Sequence, residues 1–153
     1  MKITLLGEDA IRLEPVAGPM TIEAPTAEMQ YSPFHMLGSS LASCTFSVLY
    51  SWATHARLPV DDLVLEVRWK FGDDPHRVSD IAVTFDWPSL PANRVAAARR
   101  VAELCTVHAT LHHPPNVTID SAHEHEHEHE HEHEHVHAEP SAAPTTQPTG
   151  SAA

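Results

Sequence analysis

The stretch from Ser32 to Ala56 carries no charged side chain, and it limits the folds open to this chain. None of its 25 residues is Asp, Glu, Lys or Arg, although these types make up 20% of the whole sequence. Charged side chains are almost never fully buried unless they are paired, so a segment that lacks them suits an interior position. We therefore predict that this stretch is a buried core element.

The local signals in this stretch indicate a helix. Ser32 can cap free backbone N–H groups, and Pro33 suits a first helical position because its missing N–H has no helical partner. Pro59 disfavours helix at Leu58, so the helix should end before it. Apolar residues recur at helical spacing and predict a buried stripe, formed by Leu37, Leu41, Cys44 and Val48.

Polar residues in the same stretch argue against a membrane span. A spanning helix needs about 20 predominantly apolar residues, whereas this one carries many serines and threonines and two histidines. The small residues between Gly38 and Ser43 allow another backbone to approach closely. We expect a helix that is enclosed by protein on several sides.

Alternating apolar residues predict strands on both sides of the helix. Before it, three short pairs predict two or three strands in a meander: Ile3 with Leu5, Ile11 with Leu13, and Met20 with Ile22. After it, two longer segments around the turn 72–76 predict an antiparallel hairpin with one apolar face: Leu63, Leu65, Val67, Trp69 and Phe71, then Ile81, Val83, Phe85 and Trp87.

A second helix is predicted from Pro91, with an apolar stripe that ends in the second cysteine: Val95, Ala98, Ala102 and Cys105. The segment Asn116 to Asp120 predicts a last short strand. Strands, helix, hairpin, helix and strand in this order indicate an α+β fold with helices packed against an antiparallel sheet.

Length and charge limit the domain organisation and the partners. Residues 1–121 have the length of one domain, and residues 122–153 form a tail with too few apolar residues to fold. The net charge is −12, and all Lys and Arg lie at or before Arg100, while seven acids lie beyond Asp120. A chain without a basic footprint is not expected to bind nucleic acid or an anionic membrane surface. The start at Met1 has no signal-peptide pattern, which favours the cytoplasm.

The two cysteines, Cys44 and Cys105, lie on the apolar faces of two different predicted helices. Three interpretations are open: the cysteines are small core side chains, they form half of a metal site with His108, or they are a reactive pair. A reactive pair needs adjacent thiols and a nearby group that favours the thiolate. Arg12, in an early strand, is in the simplest interpretation a solvated surface charge.

The segments SPFHMLGSSLASCTFSVL and RVAELCTVHATL, together with the predicted hairpin between them, resemble the OsmC/Ohr family. These are osmotically inducible and organic hydroperoxide resistance proteins. The resemblance implies an intertwined homodimer in which antiparallel sheets wrap around the central helices. It also implies a thiol peroxidase that reduces organic hydroperoxides, needs no cofactor and regains its thiols from a dithiol such as lipoamide. Cys44 matches the peroxidatic cysteine of the family, and Cys105 matches the resolving cysteine.

The sequence departs from the family pattern at the start of the helix and after the second cysteine. The family usually has a glutamate just after the helix-starting proline, paired with an arginine from an N-terminal strand. This chain has Phe34 and His35 there, and Arg12 is the candidate for the arginine. We expect His35 to hold Arg12 in place of the carboxylate. Thr106 stands where the family commonly has proline.

The tail carries alternating histidines and glutamates, which supply imidazole and carboxylate ligands for Zn or Ni. The candidate ligands are His123, His125, His127, His129, His131, His133, His135 and His137. The repeat is alternatively an expansion without a cellular role, or an engineered tag. The leading hypothesis for the whole chain is the two-cysteine peroxidase. The alternative is a non-catalytic binding protein of the same fold, with divalent transition metals on the tail.

Overall fold

The computed structural model of the protein describes residues 1–122, and Met1–Pro115 form one compact unit. The predicted metal-binding tail therefore lies outside the described residues. The elements in chain order are β1 (Lys2–Gly7), β2 (Ala10–Glu14), β3 (Thr21–Glu23), α1 (Pro33–Ala56), β4 (Val64–Asp73), β5 (His76–Asp86), a 3-10 turn (Ala92–Arg94), α2 (Val95–Ala102) and α3 (Thr106–His112).

The strands form one five-stranded sheet in the order β3-β1-β2-β4-β5. The pairs β1/β2, β2/β4 and β4/β5 are antiparallel, as predicted for the hairpin. The prediction of a meander at the N-terminus is wrong, because β3 runs parallel to β1. The connection between β2 and β3 is long enough to bring the chain back to the outer edge of β1, which a tight hairpin cannot do.

Helix α1 begins and ends where the sequence predicts. The Ser32 side chain accepts a hydrogen bond from the backbone N–H of His35 at 3.3 Å, and the His35 ring accepts one from the Ser32 backbone N–H at 3.1 Å. This reciprocal capping satisfies two donors at the helix start. At the other end, Arg57 adopts a left-handed conformation with φ 55° and closes the helix.

The buried face of α1 is rotated from the predicted stripe. Leu41 is buried, but Leu37, Cys44 and Val48 are only half-buried. The interior face is lined instead by His35, Gly38, Ser39, Leu41, Ala42, Thr45, Phe46, Leu49 and Ala53. The small residues of this face let α1 approach the sheet closely, since a Cβ atom on Gly38 would lie 2.8 Å from the Trp69 ring.

One face of α1 stays at the surface of the chain, so the expectation that protein encloses this helix is only partly met. Met36 is 53% exposed and Tyr50 is 49% exposed. The exposed positions of α1 carry no Asp, Glu, Lys or Arg, because the whole helix lacks them.

The chain after the hairpin differs from its prediction in two ways. The single helix through Cys105 is wrong: α2 ends at Ala102 and a separate helix α3 begins at Thr106. The strand at 116–120 is also wrong, because the described residues offer it no ladder partner and it follows two consecutive prolines. Within residues 1–122, no helix combines the length and apolar character that a membrane crossing requires.

Candidate functional site

Cys44 lies in the middle of α1, at the border between its buried and exposed faces. Its side chain is half-buried and carries a free thiol. The neighbouring Thr45 points into the interior, at 3% exposure. This position holds the sulfur on a rigid element and leaves it partly accessible from outside.

Cys105 lies at the start of α3, not on an apolar helical stripe. Its backbone is extended, with φ −60° and ψ 126°, and its sulfur accepts a hydrogen bond from the backbone N–H of His108 at 3.5 Å. Cys105 is thus the N-cap of α3, a role in which a side chain satisfies a free N–H of the first turn. Its side chain is completely buried.

The end of α2 and the start of α3 bring the two thiols together. The Cys44 Sγ lies 3.6 Å from the Thr106 Oγ1, and the Cys105 thiol is close enough to Cys44 to lower the pKa of Cys44. Both cysteines are free. The two thiols are therefore neighbours, as a reactive pair requires.

The surroundings separate the acidities of the two thiols. Burial opposes the Cys44 thiolate, but hydrogen bonds from Cys105, from the Val107 backbone and from Thr106 outweigh it, so the pKa of Cys44 is lowered. Burial and the neighbouring Cys44 raise the pKa of Cys105. The more accessible sulfur is thus the better thiolate, and the buried one keeps its proton longer.

A cleft of about 980 Å³ is lined by close chain neighbours of this pair, although neither cysteine is part of its lining. Its walls come from α1, β5, α2 and α3, and they include Thr45 next to Cys44 and His108 next to Cys105. Apolar side chains make up much of the lining: Leu41, Ile81, Val83, Phe85 and Leu111. The cleft has room for a small organic molecule with an apolar body.

Arg12 is held by a carboxylate, but not at Cys44. In the β2/β4 register Arg12 faces Glu66, and its guanidinium forms an ion pair with that carboxylate. The Nε–Oε1 distance is 3.0 Å. The adjacent Ile11 and Leu13 are fully buried in the core with α1, so strand alternation places Arg12 on the opposite face of the sheet. Within one chain, the predicted role of Arg12 at Cys44 has no contact to support it.

The expectation that His35 holds Arg12 is wrong, because both ring nitrogens of His35 are used elsewhere. Nδ1 accepts from the Ser32 backbone, and Nε2 lies 2.8 Å from the Gly7 carbonyl oxygen, to which it donates. The ring also packs edge-on against Trp69, with centroids 5.3 Å apart. His35 therefore fixes the start of α1 to β1 and takes no part in the thiol pair.

The described residues contain no group of three or more His, Cys, Asp or Glu that could hold a metal ion. His108 contacts Cys105 through its backbone, while its ring lies 4.3 Å from the His112 ring. The interpretation of the cysteines as part of a metal site with His108 gains no support from this geometry.

In the sequence, Thr106 stands out only as a departure from a family pattern, and its contact with Cys44 is not predicted. Glu66 is likewise not predicted as the partner of Arg12. The signal for Thr106 was the short segment after Leu104, in which a cysteine precedes a second helical run and can serve as its N-cap. Nothing in the sequence indicates that β2 and β4 are neighbours, so Glu66 had no comparable signal.

The fold and the site together define a class: an α+β protein whose long central helix presents an accessible thiol to a buried partner thiol. A family model described as OsmC-like protein matches residues 26–120, which is more than half of the chain. The chain belongs to the OsmC-like family.

Comparison with individual proteins adds little to this assignment. A solved structure from Psychrobacter arcticus 273-4, described as an osmotic stress induced and detoxification response protein, is 23% identical. The match covers 71% of this chain and 84% of that one, with a TM-score of 0.47. No curated protein matches the sequence significantly.

Proposed function

We propose that this protein is a thiol-dependent peroxidase that reduces organic hydroperoxides through Cys44 and Cys105. The observation that supports the proposal best is the asymmetric thiol pair: an accessible sulfur with a lowered pKa beside a buried sulfur with a raised pKa. A peroxidatic sulfur must react as the thiolate, and a resolving sulfur must wait nearby as the thiol.

The proposed reaction has three steps. The Cys44 thiolate attacks the terminal oxygen of the hydroperoxide, the O–O bond breaks, and the alkoxide takes a proton and leaves as an alcohol, while Cys44 becomes a sulfenic acid. The Cys105 sulfur then attacks the Cys44 sulfur, which forms a disulfide and releases water. A dithiol such as dihydrolipoamide reduces this disulfide by thiol–disulfide exchange and is itself oxidised.

The cleft supports an organic substrate in preference to hydrogen peroxide. Its apolar lining offers a surface for the alkyl or aryl part of a hydroperoxide, and transfer of that surface from water favours binding by about 25 cal/mol per Å². Thr45, which follows Cys44 in the chain, and His108, whose backbone N–H bonds to the Cys105 sulfur, both line the cleft, and this supports binding of the substrate near the two cysteines. No metal or organic cofactor is needed in this scheme.

The homodimer is part of the proposal. The exposed side of α1 carries Met36 and Tyr50 on a helix without charged residues, a composition that suits burial against another protein surface. A second copy of the chain covers this side in the proposed assembly. Arg12 lies on the face of the sheet that points away from α1 of its own chain. In such a dimer, any role of Arg12 at a thiol is therefore at the Cys44 site of the second copy. We place the dimer in the cytoplasm, where thiols stay reduced.

Turnover with cumene hydroperoxide and dihydrolipoamide tests the proposal. We expect turnover by the native protein and only the uncatalysed rate in Cys44→Ser. Cys105→Ser should reduce one hydroperoxide per chain and then stop, and the sulfenic acid left on Cys44 can be trapped with dimedone. Ser47→Ala is the matched control, since Ser47 lies on α1 and its hydroxyl bonds, among the described residues, only to the Ser43 carbonyl oxygen. It should retain the native rate.

Turnover that survives Cys44→Ser would disprove the peroxidase proposal. The chain would then fit the second hypothesis, a binding protein that keeps the fold. Titration of the native protein with a non-reactive alcohol such as cumyl alcohol would measure whether the cleft binds ligands without chemistry.

A further inference from the structure

The Cys44 sulfur has no cationic partner in the part of the chain that the structure describes. No Lys, Arg or His side chain within residues 1–122 forms a hydrogen bond or an ion pair with it. Arg12 is bound to Glu66, and His35 is bound to Ser32 and Gly7. Whatever holds this sulfur as a thiolate within one chain must therefore be a neutral donor.

The Thr106 hydroxyl is a neutral hydrogen-bond donor close to the Cys44 sulfur. Its Oγ1 lies 3.6 Å from the Cys44 Sγ, a distance compatible with a hydrogen bond to the larger sulfur atom, and it has no other hydrogen-bond partner in the described chain. The position is fixed from both sides, since Cys105 caps the helix that Thr106 begins and the Thr110 hydroxyl donates to the Thr106 carbonyl oxygen at 2.9 Å.

We propose that the Thr106 hydroxyl is a catalytic group that donates a hydrogen bond to the Cys44 thiolate and stabilises it for attack. The hydroxyl keeps its proton throughout, so no bond is made or broken on Thr106. The role in turnover rests on the proposed peroxidase function, whereas the stabilisation of the thiolate can be measured without any peroxide.

Two further observations agree with this assignment. The Cys105 thiol and the Val107 backbone N–H lower the pKa of Cys44, and the hydroxyl and the backbone N–H of Thr106 lower it further. Among the described residues, the Cys105 thiol is the titratable group that affects the pKa of Cys44, and its sulfur accepts a hydrogen bond from the His108 backbone N–H. A hydrogen bond to a charged group contributes more than one between neutral groups, so the thiolate gains more from the hydroxyl than the thiol does.

The test is the rate of Cys44 alkylation by iodoacetamide as a function of pH, with the modified peptide identified by mass spectrometry. Thr106→Val keeps the branched shape and the backbone N–H but removes the hydroxyl. We expect it to raise the apparent pKa of Cys44 by about one unit, so that about tenfold less thiolate is present near neutral pH.

The shape of the rate profile identifies the mechanism. For each unit by which its pKa is raised, a thiolate becomes intrinsically about threefold more nucleophilic. At pH 7 this partly offsets the tenfold loss of thiolate, so the valine variant should react roughly threefold more slowly than the native protein. Above both pKa values, where both proteins are fully ionised at Cys44, the variant should react faster. Crossed profiles of this kind are not expected from local unfolding, which exposes the thiol and changes the rate in the same direction at every pH.

Two variants serve as controls. Thr106→Ser retains the hydroxyl and should reproduce the native profile. Thr54→Val removes a hydroxyl that bonds to the Tyr50 carbonyl oxygen, ten residues along α1 from Cys44, and should also leave the profile unchanged. A valine profile that superimposes on the native one, or a serine profile that follows the valine one, would overturn the inference. Circular dichroism and thermal unfolding of each variant establish that α3 is intact.

The outcomes separate this inference from the peroxidase proposal. A native protein that turns over peroxide, together with an unshifted valine profile, would refute the role of Thr106 alone. Crossed profiles in a protein without peroxide turnover would support thiolate stabilisation by Thr106 and reject the peroxidase.

Discussion

Substitution of Gly38 by alanine should destabilise the protein, although alanine is the better helix former. In an exposed helix this change would add about 1 kcal/mol of stability. Here the new methyl group would lie 2.8 Å from Cζ3 and 3.4 Å from Cε3 of Trp69, whose side chain is only 3% exposed. Overpacking of a core costs about 1–3 kcal/mol, and a buried ring with little room to move places the cost near the upper end. The net loss is about 2 kcal/mol.

The measurement is urea unfolding of native and Gly38→Ala protein, supported by the midpoint of thermal unfolding, which should fall by about 8 °C. Ser40→Ala is the matched control, because Ser40 is exposed on the same helix and should be neutral or stabilising. In a Trp69→Phe background, which shortens the ring, the cost of Gly38→Ala should shrink. A gain of stability in Gly38→Ala alone would refute the close approach of α1 and β4.

Three further results are expected. Iodoacetamide should modify Cys44 before Cys105 at neutral pH, because Cys44 is more accessible and has the lower pKa; equal modification of both in the folded protein would contradict the asymmetry. Glu66→Gln should cost at most about 1 kcal/mol at pH 7, since the ion pair is partly exposed. The hydrogen bond with Arg12 lowers the pKa of Glu66, so this difference should vanish in urea titrations as the pH falls through that pKa. Calorimetry with Zn²⁺ or Ni²⁺ should detect binding by the full chain and not by a protein that ends at Ala122; equal binding would exclude the tail as the site.

The central helix shows what local sequence signals achieve. Ser32, Pro33 and Pro59 predict its ends correctly, because capping and proline geometry act within a few residues. The predicted stripe through Cys44 gave the wrong buried face. On a helix without charged residues, several overlapping stripes have helical spacing, so spacing alone does not predict which one is buried. The buried face is determined by packing against the sheet, which small residues such as Gly38 allow to come close.

The thiol pair shows a similar division. The sequence indicated two cysteines on separate segments, and the family resemblance suggested their roles, which remain predictions. The break after Ala102 moved Cys105 from a helical stripe to the start of α3. That position brings the Thr106 hydroxyl to Cys44, a contact between residues that are 62 positions apart.

The sequence by itself determined the elements of this protein: a capped uncharged helix, an alternating hairpin and the α+β class. Each of these follows from propensities and periodicities that operate over a few neighbouring residues. Only the tertiary structure decided which face of α1 is buried, that β3 joins β1 in parallel, that Arg12 pairs with Glu66, and that Thr106 and Cys105 lie close to Cys44. These contacts join segments far apart in the chain, and their free energies depend on packing and desolvation that exist only once the chain is folded.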